Sequence, residues 1–174
     1  MTRLSLPVID SVRTEFGFER TCCACPACVA NCRHIPGYLI PADLARMAAV
    51  AREDELLAWC KRHLLASPGA IVAREGHVFR IPTLVPARRD DGACIFLTKE
   101  GACAVHATAP FGCAFFDAHM GPTQADRRSS AGLRAVAQAW QTGALYATVW
   151  TMLHDAGQVA LAPEEARRRM HTGL

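Results

Sequence analysis

A mainly helical α+β fold, built as one small domain with one or two β-hairpins and a cysteine-rich loop that holds a metal, is what this sequence predicts. Three observations carry that expectation. Apolar residues recur at helical spacing around residues 41–64 and again over most of the stretch beyond residue 124. Between these regions, short apolar runs flank glycine-bearing turns, the pattern of hairpins. Five of the nine cysteines fall between Cys22 and Cys32. A chain of 174 residues suits a single domain spanning 1–174 and can bury roughly two-thirds of its unfolded surface, so its fold does not depend on a metal staple.

Taken in order, residues 1–20 lack periodicity and read as loop, with Val8, Ile9 and the Phe16-Gly17-Phe18 segment packing over the cysteines. Residues 21–38 read as a wrapping loop, because Pro26, Pro36 and Gly37 interrupt any long helix. Pro41 opens a helix with Leu44, Met47, Ala48 and Ala51 on one face. A second helix follows, with Glu53-Asp54-Glu55 near its start, Leu56, Leu57, Cys60 and Leu64 on its apolar stripe, and Lys61-Arg62-His63 near its end. Ser67-Pro68-Gly69 stops it. Cys60 shares the buried stripe and is assigned to the core, apart from any metal site.

Ala70–Ala73 and His77–Ile81 flank Arg74-Glu75-Gly76 as a hairpin that Pro82 and Pro86 end. Cys94–Leu97 and Cys103–His106 flank residues 98–102 as a second hairpin, which brings Cys94 and Cys103 together. Cys113 follows Pro110 in a turn rich in phenylalanine. Residues 124–156 form one largely buried helix or a pair bent near Gly143, and a last helix runs from Pro163 to the arginine run and His171.

Composition excludes several classes. A hydrophobic content of 51% and a charged content of 20% suit an ordered globular protein without long disordered tails. The net charge of +3 rests almost wholly on arginine, and Arg88-Arg89 and Arg167-Arg168-Arg169 have no interleaved aromatics, so no nucleic-acid partner is expected. No stretch approaches the roughly 20 apolar residues of a membrane span, and the start lacks the apolar run of a signal peptide, which places the protein in the cytoplasm with no membrane partner. In a reducing cytosol nine cysteines, an odd number, argue for thiols or metal ligation over a disulfide framework.

Cys25-x-x-Cys28-x-x-x-Cys32 offers three thiolates, and Cys94, Cys103 and Cys113 are expected to fold back onto them. A tetrahedral zinc or an iron–sulfur cluster of the 4Fe–4S type would each take four of the six. Counting does not choose between them. Ile95, Phe96, Leu97, Phe111, Phe115 and Phe116 would shield a cluster from water, and Arg20 and Arg33 would offset its negative charge. Cys22, Cys23, His34 and His106 are possible extra ligands, with His119 beyond them. A Cys/His nucleophile pair such as Cys22 or Cys23 with His34 is the weaker reading. No phosphate-binding glycine loop, zinc-protease helix or serine elbow is present.

The order Cys25-x-x-Cys28-x-x-x-Cys32, Cys94-Ile95-Phe96-Leu97, Cys103-Ala104-Val105-His106 and Pro110-Phe111-Gly112-Cys113-Ala114-Phe115 resembles the YkgJ-type cysteine-cluster family, described as a zinc- or iron-chelating, iron–sulfur-containing domain. The resemblance covers roughly residues 20–120 and leaves the helical part, 124–171, outside it. It implies a small cytosolic metal-binding domain with those six cysteines as ligands. A lysine N-methylase that acts on flagellin is similar in its cysteine region. The chain departs from the pattern at Ala109, where an arginine usually precedes the late proline, and at Cys113-Ala114-Phe115-Phe116-Asp117, where Cys-Arg-x-Phe-Pro is usual. The expected function is a cytosolic iron–sulfur protein, its cluster held for redox or cluster-dependent modification chemistry with a protein or redox partner. A zinc-binding structural or interaction module is the alternative, and a methyltransferase-like protein-modifying enzyme a further one.

Overall fold

The computed structural model describes residues 14–21, 25–48, 52–105 and 108–172. Cys22, Cys23, Ala51, His106 and the lead-in residues Val8 and Ile9 lie outside the described residues. Within them the chain is a small α+β domain with two separate two-stranded antiparallel sheets.

The first sheet pairs β1 (Thr14–Glu15) with β2 (Phe18–Glu19), where a loop was expected. Phe16 and Gly17 both take positive φ, 53° and 75°, the geometry of a tight hairpin turn. Phe16 packs edge-on against Phe111. The guanidinium of buried Arg128 lies over the Phe18 ring and donates to the carbonyls of Glu19 and Phe115, clamping this hairpin to the segment that carries Cys113.

The stretch read as a wrapping loop contains instead a nine-residue helix, α1 (Pro26–His34). Proline occupies the first helical position, where its missing N–H is needed by no partner and its fixed φ suits the helix. Pro26 therefore starts the helix it was expected to prevent. Pro36 and Gly37 fall after its end. Next come α2 (Pro41–Ala48) and α3 (Glu53–His63), both as expected, with Leu44, Leu56, Trp59 and Cys60 buried.

Helix α3 ends earlier than its apolar stripe suggests. Leu64 is already extended and opens β3 (Leu64–Arg74), which pairs with β4 (His77–Pro86). Ala66 also exchanges backbone hydrogen bonds with Gln158 and Ala160, more than ninety residues away in sequence, so local periodicity carried no sign of this strand. Pro82 and Pro86 were expected to end the hairpin, yet β4 runs through Pro82. The ladder skips there: Ser67 pairs with Thr83 and Ala70 with Ile81, so Pro68 and Gly69 bulge opposite Pro82 and no ladder bond from proline is required. Gly69 takes φ +74°, and a Cβ on it would lie 1.7 Å from the Ile81 carbonyl oxygen.

The expected second hairpin reduces to isolated bridges, Arg88 with Cys94 and Leu97 with Cys103. A four-residue turn of helix, α4 (Phe111–Ala114), carries Cys113. The pattern over 124–156 resolves into α5 (Pro122–Gln141) and α6 (Leu145–Asp155), bent at Gly143 with φ +63°, and α7 (Pro163–Thr172) closes the described chain.

The main core lies between the long hairpin and α2, α3, α5 and α6. Trp140 and Trp150 donate their indole N–H groups to the Pro82 and Ser67 carbonyls, fastening both helices to the bulged region. Tyr146, 1% exposed, donates to the Leu39 carbonyl and accepts from the Leu84 N–H. Such buried hydroxyl bridges are costly to break, because each freed backbone group is left without water. A smaller core of Ala93, Cys94 and Leu97 packs against Val29 and Cys32 of α1 and marks the cysteine end of the molecule. No described helix is long and apolar enough to cross a membrane.

Candidate metal centre

Helix α1 decides how the early cysteines are shared out. Cys25 is its N-cap and Cys28 lies in its first turn, while Cys32 comes four residues after Cys28, about 6 Å further along the axis. The three thiols of Cys25-x-x-Cys28-x-x-x-Cys32 were expected at a single site. Cys25 and Cys28 fall in one group within 4.8 Å, and Cys32 is not a member of that group.

Cys25 and Cys28 meet His119. Their ligand atoms all lie within 4.8 Å of one another, close enough to bind a metal, and no other His, Cys, Asp or Glu set of three or more does so among the described residues. Cys25 Sγ and His119 Nε2 are 3.1 Å apart, and the Ala118 N–H donates to Cys28 Sγ at 3.3 Å. Asp117 Oδ1 accepts the backbone N–H of His119 at 2.9 Å, which fixes the turn presenting the ring. The hydrogen bond and negative charge of Cys25 raise the pKa of this exposed imidazole above its ordinary value. His119 ranked last among the nearby histidines in sequence because it follows the final cysteine by six residues. What it signalled was an imidazole on the loop leaving Cys113.

Cys32 joins Cys94, Cys103 and Cys113. These four, with Cys28, contribute to the lining of one cavity of about 400 Å³. Burial raises the pKa of Cys32, and the Cys103 charge adds to it. Burial pushes Cys94 up to about 11, with Cys103 and Cys32 contributing, and drives Cys113 well above 9.0, with all three others contributing. The four sulfurs therefore feel one another, and in the absence of a cation they rest as neutral thiols.

The frame around Cys113 is a crossing of two backbones. Gly112 N–H donates to the Tyr38 carbonyl at 2.8 Å, and Gly37 N–H donates to Cys113 Sγ at 3.2 Å. A Cβ on Gly37 would lie 2.0 Å from the Gly112 carbonyl carbon, so glycine is required for this approach. Asp43 secures the crossing from beneath: its Oδ2 accepts the N–H groups of Ile40 and Phe111, and its Oδ1 pairs with Arg46. On the opposite side, Thr21 N–H donates to the Ala114 carbonyl, tying the approach to the cysteine run onto the Cys113 segment.

Cations serve the interior set unequally. Burial raises both Cys103 and Cys94; backbone hydrogen bonds at Val105 and Phe96 oppose it, and Arg20 at Cys103 and Arg88 at Cys94 act in the same lowering direction. Arg88 also donates to the His34 and Gly92 carbonyls. Arg33, expected beside the sulfurs, acts on Asp91. His34 supplies its carbonyl to Arg88, and its ring belongs to no ligand group within 4.8 Å. Of the expected apolar neighbours, Phe96, Leu97 and Phe116 line the cavity, Phe111 and Phe115 are buried in the main core, and Phe96 stacks on Trp59 and His63. Cys60 sits in the main core, its thiol raised by burial to about 12, away from both sets.

No protein-family model, curated protein or solved structure matches the chain.

Proposed function

We propose that this chain is a metalloprotein whose interior thiols, Cys32, Cys94, Cys103 and Cys113, hold an iron–sulfur cluster of the 4Fe–4S type. The observation that carries the reading is that these four thiols, from three separated segments, line one cavity, to which Cys28 also contributes. A mononuclear zinc bound at 2.3 Å by tetrahedral thiolates would draw the sulfurs to about 3.8 Å from each other. Among the described residues no three of these four lie within 4.8 Å of one another, which favours a polynuclear group whose thiolates sit on different metal atoms.

The surroundings fit such a group. Leu97, Phe96 and Phe116 contribute apolar surface to the cavity lining, and Arg20 and Arg88 supply positive charge near Cys103 and Cys94. The Gly37 N–H at Cys113 Sγ is a donor of the kind that tunes a thiolate ligand. When bound, a cluster of this type accepts and returns single electrons. The protein's own part is to bring four sulfurs together and lower the cost of their charge.

Anaerobic purification followed by visible absorption and analysis of iron, sulfide and zinc tests the proposal. Brown protein with near-stoichiometric iron and sulfide, lost in Cys94→Ser and Cys113→Ser and kept in Cys60→Ser, is the expected result. Colourless protein carrying only zinc at these four thiols would overturn the cluster in favour of a zinc module.

A further inference from the structure

Beyond that centre, we infer that Cys25, Cys28 and His119 form a second, mononuclear site for a divalent cation of the zinc class, loaded independently of the interior thiols. The juxtaposition joins the start of α1 to a turn 94 residues later and is already near the required size. Zinc bonds of 2.3 Å to sulfur and 2.0–2.1 Å to imidazole nitrogen, at tetrahedral angles, place S and N about 3.5 Å apart. Cys25 Sγ and His119 Nε2 stand at 3.1 Å, and all three ligand atoms lie within 4.8 Å. Opening the first contact by a few tenths of an ångström admits the ion.

The chemistry of the set selects the metal. Two thiolates and an imidazole suit zinc and its analogues over magnesium or calcium, which prefer oxygen. Their combined charge cancels that of a divalent ion when the imidazole is neutral, so the site carries no net charge, whereas four thiolates on one such ion leave −2. Cys25 is partly exposed and His119 exposed, while Cys28 is buried, and neutrality lowers the cost of ligating the ion through that buried sulfur.

Three features prepare these ligands before any metal arrives. Cys25 and Cys28 sit at the N-terminal end of α1, a helix of nine residues, where the backbone dipole favours negative charge. Ala118 N–H donates to Cys28 Sγ, from the residue adjacent to His119. Asp117 pins the same turn through the His119 N–H. Metal entry displaces the two thiol protons to solvent and changes no oxidation state.

Cobalt(II) titration of chelator-treated, anaerobically prepared protein reads this site, because tetrahedral cobalt with thiolate ligands absorbs in the visible. The wild type should take up one equivalent at the rim. His119→Ala, at an exposed position, should weaken that equivalent at least about tenfold while leaving interior iron and sulfide unchanged, and His119→Cys should restore it. Failure of the wild type to bind, or an unchanged cobalt affinity and spectrum in His119→Ala, would overturn the proposal. So would equal loss of the rim equivalent in Cys94→Ala, since that result means one shared site. Rapid alkylation of Cys25 that zinc does not slow and His119→Ala does would replace the metal site with a thiolate–imidazolium pair. Absence of iron with the cobalt site intact would sink the interior cluster alone.

Discussion

Cys28 and Cys32 stand one helical turn apart on α1, yet they serve different surroundings. Cys28, 7% exposed and also lining the interior cavity, meets the more exposed Cys25 and His119, where a helix N-terminus and a backbone N–H favour thiolate and ligands from two short segments suffice. Cys32 faces Cys94, Cys103 and Cys113 inside, where burial and mutual repulsion hold the thiols neutral and three segments of the chain must first be brought together. The contrast teaches that one cysteine run can face two groups of partners, because the fold brings His119 to Cys25 and Cys28 and brings Cys94, Cys103 and Cys113 to the cavity that Cys32 lines. Tertiary packing makes both sets, since His119 lies 94 residues from Cys25 in sequence.

If that division is right, damage to the frame should cost the interior far more than the rim. The largest effect is expected from Gly37→Ala, whose Cβ would fall 2.0 Å from the Gly112 carbonyl carbon. It should destabilise the fold by more than about 3 kcal/mol in denaturant melts and displace Cys113, with interior metal lost. Wild-type stability in this variant would break the comparison. Asp43→Asn comes next, since it weakens a buried acceptor of two backbone N–H groups and the Arg46 pair. A loss of about 1–3 kcal/mol at unchanged denaturant slope is expected.

A third effect opens only in alkali. Cys94 and Cys60 are raised in the folded protein from 9.0 to about 11 and about 12. The unfolded chain therefore releases these protons first. Their contribution to stability is fully present below pH 9 and is lost as pH rises toward 11 and 12. Melting of metal-free protein should fall over that range, and Cys60→Ala should make the fall shallower. Metal on Cys94 has already replaced its proton, so loaded protein should retain only the Cys60 part. The smallest effect is that of His119→Ala on metal-free stability, within about 0.5 kcal/mol in the same melts, because the ring is exposed. A larger loss would mean that the rim histidine supports the fold.

Much of the secondary structure was legible because it follows local rules. Pro41 and Pro163 open helices, and Gly143 bends the long apolar stretch, as proline and glycine do wherever they stand. Cys60 was readable as core from its place on the stripe of α3. Errors had two sources: Pro26 was read as a breaker although at the first helical position it starts α1, and Leu64 was read as helical although β4, a partner farther along the chain, captures it. Pro82 was read as a strand end although the Pro68–Gly69 bulge accommodates it.

The amino-acid order by itself determined that this is an α+β chain with thiols gathered in an early run and three later positions, because periodicity, proline and cysteine spacing act over a few residues. Which sulfurs share a site was decided only in three dimensions. Cys32 leaves its neighbours for partners far along the chain, and His119 takes its place beside Cys25 and Cys28. The reason is physical: a ligand set is defined by distances of a few ångströms, and those between separated segments are fixed by the Gly37–Gly112 crossing, the Asp43 bridge and the packed aromatic core, none of which local spacing encodes.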